Sequence, residues 1–235
     1  MRYEKIKKAV FLERENRFVA KVLLDGCETA THVKNTGRCK ELLVKGATVY
    51  LSFPDNEKRK IPSDLVAVEK ERVGKSPLLI NMDSSAPNAA VSEWLPTSGL
   101  FSENAVFRRE VTKGNSRFDF AIEDNGALTY LEVKGVTLEE DGVLMFPDAP
   151  TERGVKHLRE LSDLRGQGFG AAVLFVIQMK GAKYFTPNRR THKEFAEALM
   201  LAEKSGVKVL AYDAVVTENE MKIDLPVEVR LESSR

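Results

Sequence analysis

The stretch SRFDFAIEDNGALTYLEVKGV, residues 116–136, decides the fold of the second half of the chain. Two runs rich in apolar, aromatic and β-branched residues flank Glu123-Asp124-Asn125-Gly126. An Asn-Gly pair between alternating strands is the strongest short-range hairpin signal, because both central positions of the tight turn require positive φ. A two-residue turn at Asn125-Gly126 pairs Asp124 with Ala127 and, by the same count, Asp119 with Glu132. Side chains alternate across a strand, so Glu132 and Lys134 share a face with Asp119, while Phe118, Phe120, Leu131 and Val133 point into the core on the other. A four-residue loop, Glu123 to Gly126, would set Asp119 opposite Tyr130 and leave Glu132 one pair along; the cluster survives either register.

Like charges facing each other on a sheet are destabilising unless a cation or a shared proton compensates. A hard divalent metal fits that need. Mg²⁺ (or Mn²⁺) takes one or two carboxylates together with water and substrate phosphate, which Asp119, Glu132 and the backbone carbonyl of Val133 could supply. Such an ion acidifies a bound water and neutralises charge building on phosphorus, with Lys134 placed to orient the water or the phosphate. The chemistry this predicts is phosphodiester hydrolysis, with Asp119, Glu132 and Lys134 as the catalytic residues and Asp119 and Glu132 as the metal ligands. The plain alternative is a solvated strand face with an ion pair between Lys134 and one carboxylate.

Outward from the hairpin, TERGVKHLRELSDLRGQG reads as a helix capped by Thr151, AAVLFVIQ as a buried parallel strand, THKEFAEALMLAEKSG as a helix and VKVLAYDAVV as a final strand. Upstream, Asn88 is placed to cap a helix through AAVSEWL that ends before Pro96. This succession predicts a mixed sheet covered by helices. Residues 1 to about 75 read instead as short strands, KAVFLE, FVAKVLL, ETATHV, ATVYLSF and DLVAVEKE, separated by turns at Asp25-Gly26, Asn35-Thr36-Gly37 and Pro54-Asp55-Asn56: a small all-β barrel. GRCKELLVKG is predicted to be a short helix crossing it. Ser76 to Pro87, with two prolines and a Ser-Ser pair, reads as an interdomain connection. The resulting division is 1–80 and 81–235, α/β overall.

The formal charge of +1 hides an asymmetry: residues 1–80 hold 17 Lys and Arg against 11 Asp and Glu, a balance of +6, which leaves 19 against 24, or −5, for the rest. A basic barrel suits a polyanion and an acidic second part suits cations. No run approaches the ~18 apolar residues that span a bilayer, and the N-terminus has no secretory pattern, so a soluble, cytoplasmic protein without a membrane partner is expected. Cys27 and Cys39 lack CxxC spacing and read as ordinary thiols.

In the barrel, HVKNTGRCK gathers His32, Lys34, Arg38 and Lys40 around a tight turn, and Arg59 and Lys60 form a second basic cluster; such groups are how small barrels track a nucleic-acid backbone, with Arg38 the foremost phosphate contact. In the second part, Glu93 is the nearest helix carboxylate to complete the acidic site, ahead of Glu103 and Glu110. Arg153 and His157 lie four apart on one helical face, and Gln178 closes the apolar strand toward the sheet's carboxyl edge.

SRFDF, LEVKGVTL and FPDAPTERGVKHLREL, in this order, together with NRFVAKVLLDG and HVKNTGRCKELLVKGATVYL, resemble the sugar fermentation stimulation protein (SfsA) family over nearly the whole chain. The resemblance implies an OB-fold joined to a restriction-endonuclease-type PD-(D/E)xK domain, and DNA binding that is not sequence-specific. The active-site motif it implies matches Asp119, Glu132 and Lys134. Two functions follow as expectations: a Mg²⁺-dependent nuclease acting on nucleic acid, DNA before RNA, or a DNA-binding regulator of sugar metabolism genes in which the site is idle. Restriction-type sites often work in pairs, which by analogy suggests a homodimer.

Overall fold

The computed structural model describes the chain except for residues 36, 38, 57 and 233–235. Six strands build the first sheet: β1 (Ile6–Arg14), β2 (Val19–Leu24), β3 (Cys27–Val33), β4 (Thr48–Ser52), β5 (Asp64–Arg72) and β6 (Lys75–Asn81). Their order is β3-β2-β1-β4-β5-β6, and a short parallel pairing of β3 with β5, His32 to Asp64 and Val33 to Leu65, closes the barrel. The β2–β3 turn is the one read from Asp25-Gly26, both at positive φ (51° and 83°). Alternate residues Ala20 and Val22 of β2, with Phe11, Val49, Leu51 and Leu65, fill the interior.

The barrel differs from the sequence reading in two places. Residues 39–46 make consecutive turns, with Leu43 N–H bonded to the Cys39 carbonyl, and no helix forms; Gly46 at φ 90° ends the segment after too few residues to repay helix nucleation. Residues 76–81, expected to open the connection, instead continue β6 from Lys75 and pair with β5 from Arg72–Lys75 to Ala67–Asn81. Gly74, at φ 69°, turns the chain back. Pro77 does not break the ladder, because β6 is an edge strand and needs no N–H there.

A second six-stranded sheet follows. Helix α1 (Ala86–Trp94) and a 3-10 turn lead into β7 (Val106–Lys113), β8 (Ser116–Asp124) and β9 (Ala127–Val136), an antiparallel meander. A small sheet of β10 (Leu138–Glu140) and β11 (Val143–Phe146) precedes α2 (Glu152–Gly166) and β12 (Gly170–Ile177). Then come β13 (Tyr184–Pro187), which joins the small sheet, α3 (Lys193–Lys204), β14 (Lys208–Val216) and β15 (Met221–Pro226). The main sheet runs β15-β14-β12-β9-β8-β7, with β9, β12 and β14 parallel. β12 is buried along almost its whole length at the centre, as its apolar run required.

Helix α1 covers one face, packing Ala90 and Val91 near Phe120, Leu131 and Val133. Helices α2 and α3 cover the other, where Val155, Leu158, Leu161, Phe195 and Leu199 meet Tyr130, Val173 and Phe175. The threonine cap of α2 is present: Thr151 Oγ1 accepts the Gly154 N–H at 3.1 Å. Ser85, not Asn88, precedes α1; Asn88 lies inside the helix, with its side chain free for another partner. Among the described residues no helix is long and apolar enough to cross a membrane.

Candidate active site

The hairpin adopts the two-residue turn, Asn125 and Gly126 at φ 50° and 78°, with pairs running from Asp124–Ala127 to Phe120–Leu131. The ladder stops there. Asp119 has a partner in neither ladder, and across from it Glu110 of β7 takes φ 54°. The local break changes the phase of the pleat. Phe118 therefore does not share a face with Phe120, as simple alternation required: it lies under α2 against Tyr130 and His157, with ring centroids 5.4 and 6.3 Å away, while Phe120 lies under α1.

Where the strands part, the Asp119 carboxylate replaces a ladder acceptor. Its Oδ2 accepts the Val133 N–H at 2.7 Å, and its Oδ1 accepts from Asn88 Nδ2 of α1, also at 2.7 Å. Burial raises its pKa, the charge of Glu132 raises it further, and the bonds from Val133 and Asn88 and the Lys134 charge offset only part of this.

Glu132, 3% exposed, projects toward α2. Its Oε1 takes two donors, Lys134 Nζ at 2.5 Å and His157 Nδ1. His157 occupies a place on the buried stripe of α2 where an aliphatic residue would otherwise sit. Its Nε2 lies 3.4 Å from Arg153 Nε. A guanidinium only donates, so Nε2 accepts and Nδ1 carries the hydrogen toward Glu132. Burial pushes the Glu132 pKa up, but the His157 bond and the Lys134 charge outweigh it and hold the carboxyl below its usual range. The adjacent carboxylates are thus pushed in opposite directions. Glu132 Oε2 is buried and has no hydrogen-bond partner among the described residues.

That orphan oxygen is the test of a metal at this place. A buried carboxylate oxygen without a partner is costly, and a small divalent cation takes hard oxygen donors such as two carboxylates near enough for one charge to raise the other's pKa. Asp119 and Glu132 fit such an ion. The described residues hold a separate grouping, Glu152, His192 and Glu194, with ligand atoms within 4.8 Å of one another at the starts of α2 and α3. His192 Nδ1 there accepts the Thr151 N–H at 3.3 Å and its Nε2 faces Glu152 at 3.4 Å, an arrangement that satisfies the ring without an ion.

The remaining sequence candidates divide. Arg153 and His157 join the cluster. Glu93 does not: its carboxylate, 66% exposed, pairs with the Met1 amino group at 2.7 Å, and the α1 residue that reaches the site is Asn88, one helical turn and a half earlier. Gln178 is buried but turned toward the barrel, donating through Nε2 to the Asn81 carbonyl and Oδ1 (3.0 Å each) and the Asp83 carbonyl (3.2 Å).

In the barrel, Lys34 is committed to Asp83 at 2.7 Å, and His32 and Arg59 to Asp64 at 3.1 and 2.5 Å, so these three are internal contacts first. Lys40 and Lys60 are exposed and carry no ion pair among the described residues; Arg38 lies outside them. Sequence reasoning missed Arg14, whose guanidinium holds the carbonyls of Asn35 (2.7 Å) and Gly37 (2.8 Å) and so fixes the basic loop, and Asp148, against which Gly37 packs. The only sequence signal for that contact was the position of Asp148 in FPDAP, just ahead of α2. The basic loop therefore meets the second domain beside the start of the helix that carries His157.

Comparison with known proteins agrees with this architecture. Residues 12–76 match the family model described as the SfsA N-terminal OB domain, and residues 85–220 the one described as the sugar fermentation stimulation protein RE domain. The chain is 50% identical to a sugar fermentation stimulation protein homolog of Ruminiclostridium cellulolyticum, over 98% of this chain and 100% of that one. It is 52% identical to a homolog of Desulfitobacterium hafniense, over 98% and 99%. A solved structure of SfsA from Pyrococcus furiosus in complex with Ca²⁺ superposes with a TM-score of 0.85, at 26% identity, covering 98% of each chain. With both of its domains matched in order and half of its residues shared with full-length relatives, the chain belongs to the sugar fermentation stimulation protein family.

Proposed function

We propose that this protein binds nucleic acid, DNA before RNA, and hydrolyses phosphodiester bonds at Asp119 and Glu132 with Mg²⁺ or Mn²⁺. The observation that carries the reading is Glu132 Oε2, a buried carboxylate oxygen without a partner among the described residues, beside the half-buried carboxylate of Asp119. The Pyrococcus relative is described with Ca²⁺, another hard cation with oxygen ligands, which supports the ion class. When bound, such an ion supplies an acidified water and charge neutralisation at phosphorus.

The chain's own residues do the positioning. Asn88 and the Val133 N–H fix the Asp119 carboxylate, and the Nδ1–H of His157 fixes Glu132 through Oε1, leaving Oε2 for the cation. Lys134, 14% exposed at its side chain, sits on Glu132, and its charge would assist a phosphate held beside that carboxylate. The OB domain, with Lys40 and Lys60 exposed, supplies the electrostatic grip, which counterion release makes salt-dependent.

The rival reading, a DNA-binding regulator with an idle site, draws on the same cluster, since Glu132 Oε1 is already satisfied twice by protein donors. Cleavage of labelled single- and double-stranded DNA and RNA separates the two. Cutting that requires Mg²⁺ or Mn²⁺, stops with EDTA and is lost in Asp119→Ala supports the nuclease. Salt-sensitive binding that survives EDTA and Asp119→Ala, with no cutting under any condition, would sink it in favour of the regulator.

A further inference from the structure

The two faces of the main sheet are covered unequally: α2 and α3 pack on one, while α1 alone covers the other and stops near its middle. Beyond the end of α1, over the first residues of β9, β12 and β14, a cavity of 310 Å³ remains. Leu131, Ala172, Leu174 and Leu210 form its floor, and Leu95, Leu100 and Phe101 wall it in; Phe101 is held by an edge-on contact with Phe107, ring centroids 5.9 Å apart. The space exists because β12 begins with small residues: Gly170 lies so close to Thr129 that no Cβ fits, and Ala172 fills only part of its place beside Leu131.

The mouth has a single sign of charge. Arg165, at the end of α2, and Lys208, at the start of β14 and in register with Ala172, stand there with the Thr129 hydroxyl. Neither cation is paired with a carboxylate among the described residues, and no acidic residue lines the cavity. Arg165 is oriented by one bond to the Phe169 carbonyl at 2.9 Å. Small-molecule sites are mostly apolar clefts of roughly 300–1,000 Å³ with a few placed polar groups, and this cavity has that composition.

We propose that this cavity binds a small organic monoacid, its apolar body over Ala172 and Leu174 and its carboxylate at Arg165 and Lys208. The site lies on the face of β9 opposite Glu132 and is independent of the nuclease reading.

The test is isothermal titration of the full-length protein with sodium octanoate, and with 1-octanol as the neutral probe of equal length. Saturable octanoate binding at or below about 1 mM is expected, with octanol weaker by about tenfold or more. Lys208→Glu, at an exposed position, should weaken octanoate by at least about tenfold and leave octanol unchanged. Ala172→Leu should abolish both by filling the floor. Absence of saturable binding, equal affinity for octanol, or octanoate binding indifferent to Lys208→Glu would overturn the proposal. The last of these stands even if Ala172→Leu fails to fold.

Discussion

At the scale of single residues, the candidate site depends on groups that hold two carboxylates in place. Asn88 is one. Its 2.7 Å bond to Asp119 Oδ1 is charge-assisted, and hydrogen bonds to charged groups contribute about 1.5–3 kcal/mol. If the proposed chemistry holds, Asn88→Ala should lower the rate of Mg²⁺-dependent cleavage by about tenfold or more and, through the lost bond, lower the thermal midpoint by a few degrees, on the order of 2–4 °C per kcal/mol. A rate equal to wild type would remove Asn88 from the positioning shell. Asp64 gives a prediction in pH. Burial pushes its pKa up, but the bonds from Arg59 and His32 prevail and hold it below the ordinary value. A carboxyl depressed in the folded state contributes stability that is fully present above its unfolded pKa, near 4, and lost as pH falls through the lower folded value. Urea unfolding from pH 6 to pH 3 should show this loss in wild type, and a flatter profile in Asp64→Asn over the same window.

At the scale of elements, strand β9 carries three loads within ten residues: a hairpin turn, a carboxylate facing α2 and a close approach to the barrel junction. The last is made at Gly135, where a Cβ would run into Gln178 Oε1 and would lie 2.9 Å from Pro87 Cγ. Gly135→Ala should therefore displace Gln178 from Asn81 and Asp83 and destabilise the protein by about 1–3 kcal/mol, the usual cost of overpacking. Chemical denaturation measures it, and an unchanged midpoint would mean that Gln178 relaxes without loss. The end of the β8–β9 ladder is an element-level feature as well. Alternation alone predicted a continuous pleat through Phe118 and Phe120, whereas the break at Asp119 turns its carboxylate onto the Val133 N–H and moves Phe118 under α2.

At the scale of the whole molecule, barrel and sheet are joined by buried polar groups rather than by a loose connection. Asp83, 1% exposed, receives Lys34 from the barrel; Lys70 of β5 meets Glu139 of β10 at 2.6 Å; Gln178 reaches Asn81. Lys34→Met leaves the buried Asp83 carboxylate short of one donor and should destabilise by about 1–3 kcal/mol, read as a lower urea midpoint. A midpoint within error of wild type would show that Asp83 is served by its other donors, Tyr3 and Ser85. The amino-acid sequence by itself determined the barrel strands, the Asn-Gly hairpin and the Thr151-capped helix, because turn chemistry, capping and side-chain periodicity are local and act within a few residues; it brought Asp119, Glu132 and Lys134 into one hairpin but not the pairing of Asp119 opposite Glu132, which the break in the ladder removes. It could not place β6, whose pairing with β5 overrides a proline- and serine-containing stretch. Nor could it show that Asn88 and His157, 31 and 25 residues from their carboxylate partners, complete the cluster, or that Lys34 and Glu93 face other partners. Those outcomes depend on which faces of distant elements meet when apolar surface is buried, and only the tertiary structure decides that.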